Sequence, residues 1–115
     1  MIIEDLKKLL DVEVLCCEEN LSHPVYSACG CDLMSDVLAY VKDQGVLLTG
    51  LVNPQVVRTA TMMDMVCIVF VRSKLPTEEM LELAKANGIV IMRTKKRLYE
   101  ACGILYSNGL TGKND

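Results

Sequence analysis

The chain has 115 residues, of which 51% are hydrophobic and 23% charged, and its formal net charge is −3 at pH 7. This composition indicates one ordered globular domain with a single core, and it excludes a disordered chain. The acidic balance and the 4% of aromatic residues favour neither nucleic-acid binding nor attraction to an anionic membrane. We therefore expect no nucleic-acid partner and no membrane partner.

The N-terminal sequence favours a cytoplasmic location. Residues 1–6 (MIIEDL) are acidic and follow a helical period, whereas a secretory signal has a basic start and a longer apolar run. No apolar run approaches the roughly 20 residues that a membrane span requires. In this setting the six cysteines are expected to be reduced thiols or metal ligands rather than disulfides.

The first third of the chain is predicted to form a helix, a strand and a long loop. Residues 1–10 place apolar side chains on one helical face, and Val12–Cys17 (VEVLCC) is typical of a strand. Residues Glu18–Cys31 show no clear period and contain Pro24 and Gly30, which predicts an irregular loop.

The middle of the chain is predicted to form a helix–strand–helix unit. Asp32 is expected to cap the first helix and Gly45 to end it. The apolar face of that helix consists of Met34, Val37, Leu38 and Val41. The buried strand Val46–Thr49 then leads through a tight turn into a helix at Pro54–Met63.

The last part of the chain repeats this alternation. The apolar run Val66–Val71 (VCIVFV) is typical of a strand covered on both faces, as in parallel sheets. Thr77 is expected to cap the next helix and Asn87-Gly88 to end it. Ile89–Met92 is predicted to be a fourth strand, and Leu98–Leu105 belongs to a last helix.

This alternation predicts the class of fold. Strands and helices at these spacings form right-handed βαβ units. We expect a single compact α/β domain over residues 1–110, with a mainly parallel sheet of about four strands flanked by helices. Residues 111–115 are expected to form a polar tail.

Polar residues follow the predicted strands, and in open α/β sheets ligands bind beyond the carboxyl ends of strands. The candidate ligand-binding residues are Thr49, Gly50, Asn53, Gln55, Arg72, Lys74, Arg93 and Thr94. Gly50 would let the backbone approach a ligand, and the helix that begins after Asn53 would offer unpaired N–H groups. The clustered cations favour a small anionic ligand such as a nucleotide, and solvated edge charges are the alternative.

Four cysteines suggest a second kind of site. Cys16 and Cys17 end the first predicted strand, while Cys29 and Cys31 precede the next helix. If all strands were parallel, these positions would share one edge, and four thiolates suit zinc or an iron–sulfur cluster. The spacing differs from Cys-x-x-Cys, and free cysteine is commonly a buried packing residue. A metal or redox accessory protein is therefore the alternative, whereas the anion-sensing hypothesis requires no cofactor.

Catalytic motifs are missing from the sequence. The single histidine, His23, is followed by Pro24 in the predicted loop, and no nucleophile-elbow motif accompanies a serine. A histidine without a catalytic role is the simpler interpretation. We therefore expect a protein that is not an enzyme.

Four sequence blocks between residues 32 and 110 carry a family resemblance. They are DLMSDVLAYV, VLLTGLVNPQVVRTA, IVFVRSKLPTEEMLELA and ACGILYSNGL. These blocks resemble the DRTGG domain, which is itself similar to the N-terminal domain of HPr kinase/phosphorylase. The literal Asp-Arg-Thr-Gly-Gly string is reduced to Leu48-Thr49-Gly50, and no Gly-rich GKS or GKT string is present. Kinase activity is therefore not implied.

The resemblance implies a non-catalytic regulatory module that dimerises. Members of that family occur beside CBS domains in inorganic pyrophosphatases and ahead of phosphotransacetylase domains, and others stand alone, some encoded near iron hydrogenases. The resemblance thus implies a stand-alone homodimer with a protein partner. In the metal alternative, it implies an accessory protein associated with a hydrogenase. The mean hydropathy of +0.29 also favours an apolar subunit interface.

Overall fold

The computed structural model describes residues 1–40 and 45–111, which form one five-stranded sheet covered by helices. The strands are β1 (Glu13–Cys16), β2 (Ser27–Gly30), β3 (Gly45–Thr49), β4 (Cys67–Phe70) and β5 (Val90–Arg93). Their order across the sheet is β1-β5-β4-β3-β2. Strands β2 to β5 are parallel, and β1 pairs antiparallel with β5. The mainly parallel α/β fold is therefore confirmed.

Five helices cover the two faces of the sheet. They are α1 (Ile3–Leu10), α2 (Met34–Tyr40), α3 (Pro54–Met62), α4 (Glu78–Asn87) and α5 (Leu98–Ser107). The right-handed crossovers between parallel strands place α2, α3 and α4 side by side on one face, while α1 and α5 pack together against the other. Within residues 1–40 and 45–111, no helix has the length and apolar content to cross a membrane.

The central strands explain the apolar runs in the sequence. Every residue of β3 and β4 is buried, because helices lie on both faces. The two ends of α4 also follow the predicted signals. Thr77 Oγ1 accepts from the N–H of Met80 at the start of α4, and Gly88 ends that helix in a left-handed conformation with φ 68°.

Strand β2 was missed by the sequence analysis, which predicted a loop over residues 18–31. Ser27 pairs with Gly45, and Gly30 pairs with Leu48, so this segment is extended because β3 offers it a partner. Its four residues, SACG, are small and show no hydrophobic alternation. The sheet therefore has five strands, one edge strand more than the approximate number predicted.

Two predicted signals around α2 are also wrong. Asp32 does not cap the helix, because its carboxylate binds the end of β3 instead. Gly45 begins β3 rather than ending α2. The predicted inward position of Val41 and the tail at residues 112–115 lie outside the described residues.

Candidate functional site

The carboxyl ends of β2, β3, β4 and β5 meet at one side of the sheet, which we call the strand-end edge. Because β1 runs antiparallel to β5, its first residue, Glu13, pairs with Arg93 at the same edge. The turns after β3, β4 and β5 therefore approach one another here. The eight predicted ligand-binding residues lie at the last positions of β3 and β5, in these turns or in the first turn of α3.

The turn after β3 is held by a carboxylate from the neighbouring strand connection. Asp32 Oδ1 accepts hydrogen bonds from Thr49 Oγ1 and from the N–H of Gly50, both at 2.8 Å. The Gly50 N–H and then the Thr49 hydroxyl hold the pKa of Asp32 below its usual value, and the nearby charge of Arg72 adds to this effect. These two donors, which were predicted to face a ligand, bind an anion supplied by the protein itself.

The first turn of α3 likewise satisfies its own donors. Asn53 Oδ1 accepts from the N–H of Gln55 at 2.8 Å, and the carbonyl of Asn53 accepts from the N–H of Val56 at 2.9 Å. Pro54 has no N–H to offer. What this turn presents outward is the exposed side chain of Gln55 and the partial positive charge of the helix end.

The turn after β4 has an unusual backbone. Arg72 and Ser73 adopt consecutive left-handed conformations, with φ of 56° and 58°. Their N–H groups donate to the carbonyls of Lys96 and Thr94, both at 2.8 Å. Left-handed backbone costs a non-glycine residue roughly 1–2 kcal/mol, so these two hydrogen bonds to the turn after β5 stabilise an otherwise unfavourable geometry.

This geometry places the guanidinium of Arg72 directly over Gly50. A Cβ atom at position 50 would overlap Nη2 of Arg72 and lie 3.2 Å from its Cζ and 3.3 Å from its Nε. Glycine is therefore needed at this position for the close approach of the guanidinium to the backbone. The arginine side chain reaches across from β4 to β3 and remains exposed to solvent.

Arg93 and Thr94 hold the strand-end edge together from the β5 side. Arg93 Nε donates to the carbonyl of Ser73 at 3.0 Å, and its Nη1 lies 3.6 Å from Glu13 Oε1. Thr94 is 2% exposed, and its hydroxyl donates to the carbonyl of Leu10 at 2.8 Å. The Arg93 side chain therefore supports the turn that carries Arg72, whereas the Thr94 side chain ties the turn after β5 to the end of α1.

The exposed charges at this edge are of both signs, because the carboxylates of Glu13 and Asp32 lie there together with the cations. Arg72, Lys74 and Lys95 are solvent-exposed, whereas Arg93 is paired with Glu13. The exposed guanidinium of Arg72 can bind a phosphate or carboxylate through charge-assisted hydrogen bonds.

The predicted grouping of four cysteines is wrong. Cys16 lies on β1 and Cys29 on β2, which are the opposite edges of the sheet, and β1 runs antiparallel to β2. Cys16 Sγ lies 3.4 Å from the carbonyl of Ile89, near the start of β5, whereas Cys31 follows the end of β2. The pKa of the Cys17 thiol is raised to about 12, and burial is the largest of the causes. In the described ranges, no three or more His, Cys, Asp or Glu side chains are placed to hold a metal ion.

Asp32 is a residue of this edge that the sequence analysis assigned to a different role. The partner of Asp32 lies 18 residues further along the chain, so local sequence gave no sign of the contact. An aspartate two residues before a helix resembles a capping signal, which is why it was assigned that role. The left-handed backbone at Ser73 could not be predicted, because this position holds neither glycine nor asparagine, the residues that usually adopt it.

Comparisons with known proteins agree with the architecture. No protein-family model matches the chain, and no curated protein matches it in sequence. Among solved structures, it is similar to the CBS and DRTGG domains of the regulatory region of Clostridium perfringens pyrophosphatase, crystallised with the activator diadenosine tetraphosphate. The TM-score is 0.75 at 15% identity, over 90% of this chain and 45% of that chain. The chain thus has a fold that also occurs in a regulatory region, and it spans less than half of that structure's length.

Proposed function

We propose that this protein is a non-catalytic regulatory module, related to the DRTGG domain, that senses a small anionic ligand at the strand-end edge. The observation that carries the proposal is the position of Arg72. Its backbone is strained, backbone hydrogen bonds to the turn after β5 hold this turn in place, and its guanidinium lies over Gly50. Strain of this kind concentrates at ligand sites, where it fixes a side chain before the ligand arrives.

The ligand class follows from charge and from the structural neighbour. Arg72 and Lys74 offer donors with full positive charge, which suit the phosphates of a nucleotide. Diadenosine tetraphosphate is the activator bound to the pyrophosphatase regulatory region, so polyphosphate nucleotides are the natural first probes. The Asp32 carboxylate already occupies the Gly50 N–H, so the phosphate is expected to bind Arg72 beside that turn rather than within it.

The test is a binding titration with diadenosine tetraphosphate, ATP and AMP, supported by thermal unfolding. A ligand that binds only the native state raises the melting temperature. Replacing Arg72 with alanine removes a charge-assisted contact of about 1.5–3 kcal/mol, which weakens binding about tenfold or more. Asp32→Asn removes a competing negative charge while keeping an acceptor for Gly50, so it should strengthen binding.

Arg58→Ala is the matched control. Arg58 is also an exposed arginine, but it lies on α3 and pairs with Glu79 at 3.6 Å, away from the strand-end edge. This variant changes the net charge equally and should bind as the parent does. The proposal fails if no polyphosphate binds, or if Arg72→Ala retains the parent affinity. It fails equally if Arg58→Ala weakens binding to the same extent.

The proposal includes a homodimer formed through the outer face of α5. Tyr99 and Tyr106 on this helix are 92% and 65% exposed, and the space beside Gly103 is open. The two tyrosines are equally spaced about Cys102 and Gly103, so an antiparallel contact between two copies would place Tyr99 of each against Tyr106 of the other. Gly103 weakens the helix by about 1 kcal/mol relative to alanine, and a close helix–helix contact gives a reason for it.

Light scattering at micromolar concentrations tests this part. The parent is expected to be a dimer, and Gly103→Leu, which adds bulk at the centre of the contact, is expected to be a monomer. Met62→Lys is a control, because Met62 is 67% exposed on α3 and lies away from α5. A monomeric parent, or a Gly103→Leu variant that remains dimeric, would contradict the α5 interface.

A further inference from the structure

A cavity lies at the end of the sheet opposite the strand-end edge, where β4 and β5 begin. We call it the strand-start cavity. Its volume is about 490 Å³, within the range of small-molecule sites. Part of its lining is apolar and includes Ile3, Met65 and Ile89. The polar part consists of Asn20, His23, Thr61, Asp64 and Asn87. Nothing in the proposed anion site depends on this cavity.

Three polar side chains of this lining donate hydrogen bonds to backbone carbonyls of the protein. The bonds run from Asn20 Nδ2 to the Gly88 carbonyl (2.9 Å), from Thr61 Oγ1 to the Val57 carbonyl (3.0 Å) and from Asn87 Nδ2 to the Leu83 carbonyl (2.8 Å). The hydroxyl of Thr61 has then no further hydrogen to give, and each amide keeps its oxygen as an acceptor and one of its two N–H groups as a donor. The lining is therefore richer in acceptors than its residue types suggest.

The only histidine of the sequence, His23, also donates to a backbone carbonyl and keeps an acceptor. His23 Nδ1 lies 2.8 Å from the carbonyl oxygen of Pro24. A carbonyl only accepts, so Nδ1 carries the proton of this hydrogen bond, and in the neutral ring Nε2 is left as an acceptor. His23, which lines the cavity, thus offers Nε2 as one more acceptor.

The charges around the cavity also favour a positively charged ligand. Asp64 contributes a carboxylate from a left-handed position just after α3, with φ 53°. No lysine or arginine is present among the described residues that line the cavity. Helices α3 and α4 both end at this cavity, near Thr61 and Asn87, and the C-terminal end of a helix carries partial negative charge. Helix α1 begins there at Ile3 and brings the opposite partial charge, so two of these three helix ends are negative.

We propose that the strand-start cavity binds a small organic cation with an alkyl body, either an alkylammonium or an alkylguanidinium. The N–H groups of the cation donate to the Asp64 carboxylate and to the free acceptors of the lining, such as His23 Nε2. The alkyl part contacts Met65 and Ile89, which removes apolar surface from water. An anion is disfavoured by the same charges and acceptors that favour the cation.

Isothermal titration with 1,4-diaminobutane and agmatine tests the proposal, and 1,4-butanediol is the uncharged control of similar length. Both cations are expected to bind and to raise the melting temperature, whereas the diol does neither. Asp64→Asn is expected to weaken binding at least tenfold, because it removes the only carboxylate of the described lining. Asparagine tolerates left-handed backbone as aspartate does, so this variant should unfold at nearly the parent temperature.

Asp11→Asn provides a closely matched control. Asp11 is also an exposed aspartate in a left-handed conformation, with φ 52°, but it lies at the other end of the sheet, beside Thr94 and Lys95. It should bind both cations within about twofold of the parent. The proposal is overturned if neither cation binds at millimolar concentration or if the diol binds equally well. It is also overturned if Asp64→Asn keeps the parent affinity, or if Asp11→Asn loses as much.

Discussion

Replacing Asp32 with alanine is expected to destabilise the protein, because one oxygen of this carboxylate anchors the end of β3. Asp32 Oδ1 accepts from both the Thr49 hydroxyl and the Gly50 N–H at 2.8 Å. Alanine removes this acceptor and leaves two donors without it. Asparagine, in contrast, keeps an oxygen in the same place and removes only the negative charge.

The magnitude follows from which donors water can reach. Thr49 is fully buried, so its hydroxyl would lose its partner at a cost of about 1–3 kcal/mol. Asp32 itself is exposed, so solvent screening reduces the charge-assisted part of both bonds. We therefore expect a loss of about 2 kcal/mol for Asp32→Ala and about 0.5–1 kcal/mol for Asp32→Asn.

The pKa of Asp32 adds a pH dependence with a defined sign. Hydrogen bonds from Gly50 and Thr49 lower the pKa of this carboxyl in the folded state. Its contribution to stability is therefore complete above the unfolded pKa of about 3.9 and is lost as pH falls through the lower, folded value. The stability gap between the parent and Asp32→Asn should be constant near neutral pH and should narrow below about pH 4.

Urea denaturation at several pH values measures both effects. Asp36→Ala is the control, because Asp36 is an exposed aspartate in the first turn of α2 and should change stability by only a few tenths of a kcal/mol. The reasoning is refuted if Asp32→Ala is as stable as Asp36→Ala at neutral pH. A gap between the parent and Asp32→Asn that widens on acidification would refute the proposed sign.

Three further outcomes are expected. Gly88→Ala should lower the free energy of unfolding by about 1 kcal/mol in a thermal or urea melt, because Gly88 ends α4 with φ 68°; an unchanged melt would show that the left-handed end is not needed. Thr94→Val should cost about 1–3 kcal/mol, since it leaves the carbonyl of Leu10 without its buried donor, and a stability equal to the parent's would contradict this. Cys67 should resist a thiol reagent in the native protein and react in denaturant, because burial raises its pKa; rapid native labelling of this cysteine would disagree.

Much of the fold is encoded locally and was predictable from the sequence. The apolar run that forms β4 is long enough to require cover on both faces, and this indicated a parallel sheet. Thr77 and Gly88 mark the ends of α4 through hydrogen-bond and backbone preferences of single residues. Such signals act within a few residues, so they are visible before any tertiary contact is known.

The features that required the tertiary structure depend on residues far apart in the chain. Strand β2 is extended because β3 pairs with it, although its own sequence has no strand pattern. The antiparallel pairing of β1 with β5 separates the cysteine pairs that the sequence had suggested as one site. Asp32, assigned to a helix cap, instead binds a turn 18 residues away.

The sequence by itself determined the order of most helices and strands, the buried β3–β5 segments and the concentration of polar residues after those strands. Only the tertiary structure decided which of those polar groups face solvent and which are used internally. The donors of Thr49 and Gly50 were taken by Asp32, and Thr94 was buried against Leu10, whereas Arg72 was left exposed over Gly50. The physical reason is that a buried hydrogen-bonding group must find a partner, and chain packing rather than local sequence decides where that partner lies.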